Sequence, residues 1–334
     1  MHRVKAKKLT SKHKKILSYI LKTAIVVFAF WFIYRKLVHN KNIAEFKALL
    51  KEIPREEVAL VMGIIFGLML LNWGLEAVKW RRLVSRIEVI SLWKSIESVF
   101  CGLTWAVFTP NRLGEYGGRV FFLMPKRRIM GVVAMAVGNI GQMVLTNIFG
   151  AIALIAFIYR YVHLDYRLMY ALFILGAAFC LFYIIFFFNI KWLNGILLSI
   201  KFTRKYKKFY SILARYSKLE LLKILLFCLS RNLVFNLQYL ILFYWLVPEV
   251  HIIDVLMMIN IMFFVQSTLP SLDLFDIGVR SMTASYFFSF VTKHDVAVIA
   301  CTACVWLMNI IIPAILGSYF VFKLNFFGNN QRSQ

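Results

Sequence analysis

Thr109-Pro110-Asn111-Arg112-Leu113-Gly114-Glu115-Tyr116-Gly117-Gly118-Arg119 breaks one apolar part of the chain, and Leu269-Pro270-Ser271-Leu272-Asp273-Leu274-Phe275-Asp276-Ile277-Gly278-Val279-Arg280 breaks another. Each island follows a hydrophobic run too short to span a bilayer comfortably. Each carries a proline, an acid five or six residues later, and an arginine nine or ten residues after the proline. Ionisable groups at membrane depth are costly, so they stand first as functional-site candidates. Paired breaks in the two halves of a chain are the sequence pattern of a transporter binding site.

The surrounding composition sets the class. The chain has 334 residues, is 61% hydrophobic, holds 32 Phe and has a mean hydropathy of +0.74. Soluble domains are nearer half apolar, so this is a polytopic all-α membrane protein. The candidate spans are 16–34, 58–78, 130–159, 168–188, 221–247 and 296–322. At roughly 20 apolar residues per span, these six leave no room for a soluble catalytic domain. The run from 16 is too long for a signal-peptide core and has no small-x-small cleavage site, so it reads as a retained first helix.

Charge orients the spans. The net charge of +25 would suggest nucleic acid on a soluble protein. Here the bases cluster in short loops, as the positive-inside rule requires, so no nucleic-acid partner is expected. Seven Lys/Arg precede residue 16, five lie in 79–94, three in 126–128 and nine in 191–223. The opposite loops are poorer: 247–254 has none and 159–167 has two, although 35–57 has six bases against four acids. Both termini are therefore expected in the cytoplasm of a cell (plasma or inner) membrane.

That orientation constrains the short segments. The run 96–108, at about 1.5 Å per residue, reaches only about 20 Å of a core about 30 Å thick. It must enter and leave on the cytoplasmic side. The segment 252–269 with its continuation 279–291 must do so from the outside. The expectation is about six spanning helices plus two re-entrant hairpins in an inverted repeat. It forms one domain over 1–334, with halves near 16–160 and 168–322. The stretch 191–220 reads as a basic, partly amphipathic cytoplasmic segment, suited to anionic headgroups.

Candidate binding residues follow from the islands. Thr109, Pro110, Asn111, Arg112, Glu115 and Arg119 form one set; Pro270, Asp273, Asp276 and Arg280 form the other. Glu115 and Arg119 are spaced to pair on a helix, as are Asp276 and Arg280. Arginine suits phosphate because its planar fork makes paired hydrogen bonds. Arg231, with Asn232, Asn236 and Gln238 nearby, is a further candidate, facing either the cavity or the inner interface. Asn260 and Gln266 could line the same space. Glu76 and Glu97 are expected to pair with nearby bases, and Gly63-x-x-x-Gly67 to mark helix packing. The five cysteines lie in apolar segments. Cys301-Thr302-Ala303-Cys304 has no second ligand pair, so neither metal nor cofactor is expected.

The span pattern, Gly102, Thr109-Pro110-Asn111-Arg112-Leu113-Gly114-Glu115, Arg119, Leu269-Pro270 and Gly278 resemble the transmembrane flippase-like family of the lysylphosphatidylglycerol synthases. The second island departs from that family's pattern, with Arg280 or Ser281 standing near the expected acid. The resemblance implies movement of a charged lipid between leaflets, here an anionic, phospho- or polyprenyl-phosphate-type lipid. No catalytic motif is present, so no enzyme activity is expected. The alternatives are a membrane-embedded lipid-modifying or glycosyl-transferring enzyme, and an accessory subunit partnering envelope-biosynthesis enzymes.

Overall fold

The computed structural model describes residues 53–109, 112–199, 201, 207–268 and 276–324, together with positions 16, 17, 19–24, 26–28, 31, 34 and 51. The side chains of 197, 198, 268 and 276–279 lie outside the description. The regular structure among the described residues is helical. Apart from single turns at Pro125–Arg127, Lys207–Tyr210 and Ser211–Arg215, its helices in chain order are α1 (Arg55–Val84), α2 (Leu92–Val107), α3 (Leu113–Val120), α4 (Arg128–Tyr161), α5 (Tyr166–Phe188), α6 (Lys191–Ser199), α7 (Lys218–Leu246), α8 (Ile252–Thr268), α9 (Asp276–Phe288), α10 (Asp295–Trp306) and α11 (Ile312–Val321). A π-helical turn, Leu307–Ile311, fuses α10 to α11.

Among the described residues, five helices are long and apolar enough to cross a membrane: Arg55–Val84, Pro125–Tyr161, Tyr166–Phe188, Lys218–Leu246 and Asp295–Val321. The sixth expected span, 16–34, is described only in part, and its described positions are helical. There Lys22 donates to the Phe322 carbonyl at 2.6 Å, and Val26 packs beside Cys101, Val321 and Leu324.

The short helices form two packed pairs. Ser91 starts α2 by accepting the Lys94 backbone N–H, which satisfies one orphan donor of the first turn. α2 and α3 then pack on each other. Their contact depends on Gly102 and Gly118: a Cβ on Gly118 would stand 2.5 Å from the Gly102 Cα. Only paired small residues allow helix backbones this close. α8 and α9 form the second pair.

The packing runs crosswise along the chain. The first pair rests on α11 through α2, and the second rests on α4 through α8. α1 and α7, the long helices before each pair, pack against each other. Two apolar cores result. One gathers Trp80, Leu83, Phe100, Leu103, Val120 and Val144. The other gathers Ile65, Phe157, Phe243, Met258, Phe288 and Val298. By contrast α5 buries little more than Met169, Gly176 and Phe187, leaving a largely exposed apolar surface.

Within the basic segment after α5, residues 207–216 pack on the protein. Tyr210, Ile212, Leu213 and Tyr216 join the first core, and the Tyr216 hydroxyl donates to the Leu83 carbonyl at 2.8 Å. The apolar side chains of 207–216 are thus turned onto the protein. The following helix, α7, begins with a reciprocal capping box between Ser217 and Glu220, and Arg86 pairs with Glu220.

Candidate functional site

Where α1, α3 and α7 meet, charged side chains converge on Glu76, which is 2% exposed. Lys79 lies one helical turn further along α1, with Nζ 2.7 Å from Glu76 Oε2. Arg119, from α3, donates from Nη1 to Glu76 Oε1 at 2.6 Å. Arg231, from α7, donates from Nη1 to Glu76 Oε2. One carboxylate therefore holds three cations from three helices. A buried ion is tolerated only when paired and hydrogen-bonded, and here every pairing is between elements or between adjacent turns.

The cluster extends outward through α3. Arg119 Nη2 donates to Glu115 Oε1, and Arg112 Nε lies 3.2 Å from Glu115 Oε2. Arg112 is a third exposed at its side chain, whereas Arg119 is sealed. Two aromatic faces complete the setting: the Trp80 ring lies 6.0 Å from the Arg119 guanidinium and the Trp73 ring 5.1 Å from that of Arg231. Guanidinium groups favour such faces because the π cloud carries negative charge.

Neutral polar groups continue the network toward the π turn. Arg231 Nε donates to Asn72 Oδ1 at 2.9 Å, and Asn72 Nδ2 donates to Asn309 Oδ1 at 3.4 Å. Asn309 Nδ2 donates to Gln238 Oε1 at 2.9 Å, and Gln238 Nε2 to the Ile65 carbonyl at 3.1 Å. Asn309 sits in the π turn, four residues before Pro313. Proline supplies no N–H to the carbonyl four residues back, and π turns recur at functional sites. A separate polar string runs Asn260 to Asn236 at 3.1 Å and Asn236 to Asn232 at 2.9 Å.

The structure brings Arg112, Glu115, Arg119 and Arg231 into one cluster. Arg231 points inward, not to an interface. Thr109 closes the α2–α3 turn: its hydroxyl lies 2.8 Å from the Trp105 carbonyl, to which it donates, and accepts the Gly114 N–H at 2.8 Å. Pro110, Asn111, Pro270 and Asp273 lie outside the described residues. Asp276 begins α9, but its side chain is not described. Arg280, on α9, is half-buried and engaged with a neighbour.

Two expectations change. Glu76 pairs with Lys79 nearby but also with Arg119 and Arg231, far away in sequence, and it is the hub. Glu97 pairs with Lys323, at the far end of the chain, not with a local base. The signal for Glu76 was a carboxylate within an apolar span, followed one turn later by Lys79. Among the described residues, no group of His, Cys, Asp or Glu could hold a metal ion. Cys301 and Cys304 are buried in the second core, and no described atom lies within 4 Å of a Cβ built on Gly63 or Gly67.

A surface cleft of about 740 Å³ lies elsewhere, at the α4–α5 turn, with Tyr159, His163, Arg167 and Tyr170 among its lining. The charge network is the better candidate, because it concentrates buried ions and the cleft does not. No protein-family model, curated protein or solved structure matches this chain.

Proposed function

We propose that this protein is a membrane carrier moving an anionic lipid between leaflets, with the Glu76–Arg119–Arg231 cluster at its substrate site. One observation carries the reading. Among the described residues, four cations (Lys79, Arg112, Arg119 and Arg231) face two carboxylates (Glu76 and Glu115). A surplus of positive charge at membrane depth is expensive without an anionic partner.

Helix length supports this reading. α2, with 16 residues, and α9, with 13, are each too short at about 1.5 Å per residue to cross about 30 Å. In this proposal the α2–α3 and α8–α9 pairs are re-entrant, one from each side, and both termini are cytoplasmic. The first island's resemblance to the flippase-like family points the same way.

The test uses proteoliposomes carrying acyl-labelled fluorescent phosphatidylglycerol or phosphatidic acid, with a membrane-impermeant quencher added outside. Protein-containing vesicles should expose inner-leaflet label faster than empty ones. Arg112→Ala and Glu115→Gln should abolish the gain while eluting as folded protein. Unchanged translocation in both variants would remove the site assignment.

A further inference from the structure

Resting on the carrier reading above, we infer that the site is built for a terminal phosphate, a monoester bearing two negative charges, in preference to a phosphodiester bearing one. The charges around Glu76 and Glu115 leave an excess of two cations among the described residues. The excess is distributed in depth. Lys79, Arg119 and Arg231 are almost completely enclosed with the two carboxylates, leaving one uncompensated positive charge inside. Arg112 supplies the second at the edge, where its side chain is 34% exposed. A diester headgroup neutralises one of these charges. A terminal phosphate neutralises both and leaves no net charge in a low-dielectric setting, where each unpaired ion costs several kcal/mol.

Unpartnered donors lie beside the same charges. Both terminal nitrogens of Arg119 are occupied by carboxylates, but its Nε–H is buried without a hydrogen-bond partner among the described residues. The indole N–H groups of Trp73 and Trp80, whose rings lie over the two buried guanidinium groups, are likewise unpartnered. Buried donors are normally satisfied. A terminal phosphate offers three unesterified oxygens as acceptors, whereas a diester has only two.

Arg112 has a second distinguishing feature. Among the described residues it is the one non-glycine with a positive φ, at 55°. Left-handed backbone at a bulky residue is unfavourable and gathers where surrounding structure imposes it. Here it starts α3 and holds the exposed guanidinium on Glu115. That places the cation which discriminates charge at the accessible edge.

The same chemistry belongs to a phosphomonoester lipid and to free phosphate, so the test separates them. Purified full-length protein in neutral-lipid nanodiscs at pH 8 is titrated with short-chain phosphatidic acid, with phosphatidylglycerol of the same acyl chains, and with inorganic phosphate. Phosphatidic acid should bind at least about tenfold tighter than phosphatidylglycerol, the expected advantage of one extra charge at partly screened range. Arg112→Gln should reduce that ratio to near one. Inorganic phosphate should displace phosphatidic acid only at far higher concentration. Equal binding of the two lipids, with both translocated in the proteoliposome assay, would overturn the monoester preference and leave the carrier reading standing. Binding of neither lipid would overturn both. Inorganic phosphate competing at equal concentration would reassign the site to the free ion. An unchanged ratio in Arg112→Gln would show that Arg112 does not read the charge and would overturn the proposal.

Discussion

Glu76 and Arg112 show two kinds of cost at single positions. Glu76 accepts hydrogen bonds from Arg119 and Arg231 and neighbours Lys79, all inside the protein. Replacing it with glutamine keeps the shape but leaves three cations without their common counter-charge. Breaking a buried pair in this way costs about 3–5 kcal/mol. Glu76→Gln should therefore lower the thermal unfolding midpoint in detergent sharply, read by tryptophan fluorescence or by loss of monodisperse protein. A midpoint within the error of the parent would mean that the cluster does not hold α1, α3 and α7 together. Arg112 should behave oppositely. Its φ of 55° suits glycine, and relieving a left-handed side chain recovers about 1 kcal/mol. Arg112→Gly should leave the midpoint unchanged or raise it, while lipid translocation is lost. A fall in stability together with activity would make Arg112 a structural residue.

At the scale of elements, the packing depends on where side chains are missing. α11 approaches α2 at Gly317, where a Cβ would stand 2.0 Å from the Phe100 carbonyl oxygen. α4 approaches α8 at Gly150, where a Cβ would stand 2.3 Å from the Phe264 Cβ. Gly150 follows Arg128, the start of its helix, by 22 residues, and Gly317 follows Asp295, the start of the continuous span α10–π turn–α11, by 22. The two contacts are counterparts: each joins the last long helix of one half to the helical pair of the other. Gly317→Ala must push two backbones apart and should destabilise by about 1–3 kcal/mol, the usual cost of overpacking. Gly74 in α1 has no described atom within 4 Å of a Cβ built there. Gly74→Ala should be neutral or stabilise by up to about 1 kcal/mol through helix propensity. Thermal melts of the two variants side by side check this, and equal effects would contradict the close contact.

For the whole molecule, the helix contacts run crosswise along the chain, as the proposed inverted repeat requires. The second long helices, α1 and α7, meet each other, and each half supplies a helical pair to the other's last helix. The orientation is open to direct measurement. In a cysteine-free background, cysteines placed at the exposed Ser85 and Lys126 should share one side of the membrane, and one at His163 the other. A membrane-impermeant maleimide applied to right-side-out vesicles should label the last and spare the first two. Labelling of Ser85→Cys and His163→Cys from the same side would refute the proposed orientation.

Long apolar helices and the short helices that precede the two islands were legible from residue order, because hydrophobicity acts locally; residues 110, 111 and 269–275 of the islands lie outside the described residues. Five of the expected spans correspond to described helices long and apolar enough to cross, and the two short segments appear as short helices. The Glu115–Arg119 pair was equally readable, since four residues on a helix place two side chains on one face. Glu76 as the hub was not. Its partners Arg119 and Arg231 come from distant helices, and nothing in the order of residues states which helices touch. Glu97 with Lys323 was hidden for the same reason. The apolar face of 207–216 also gave no sign of whether it would meet lipid or protein, because both are equally good solvents for Tyr210 and Leu213. Residue order thus settled what each segment is, through local energetics. The assembled fold settled which buried charges meet, because a buried charge takes whichever partner packing brings within reach.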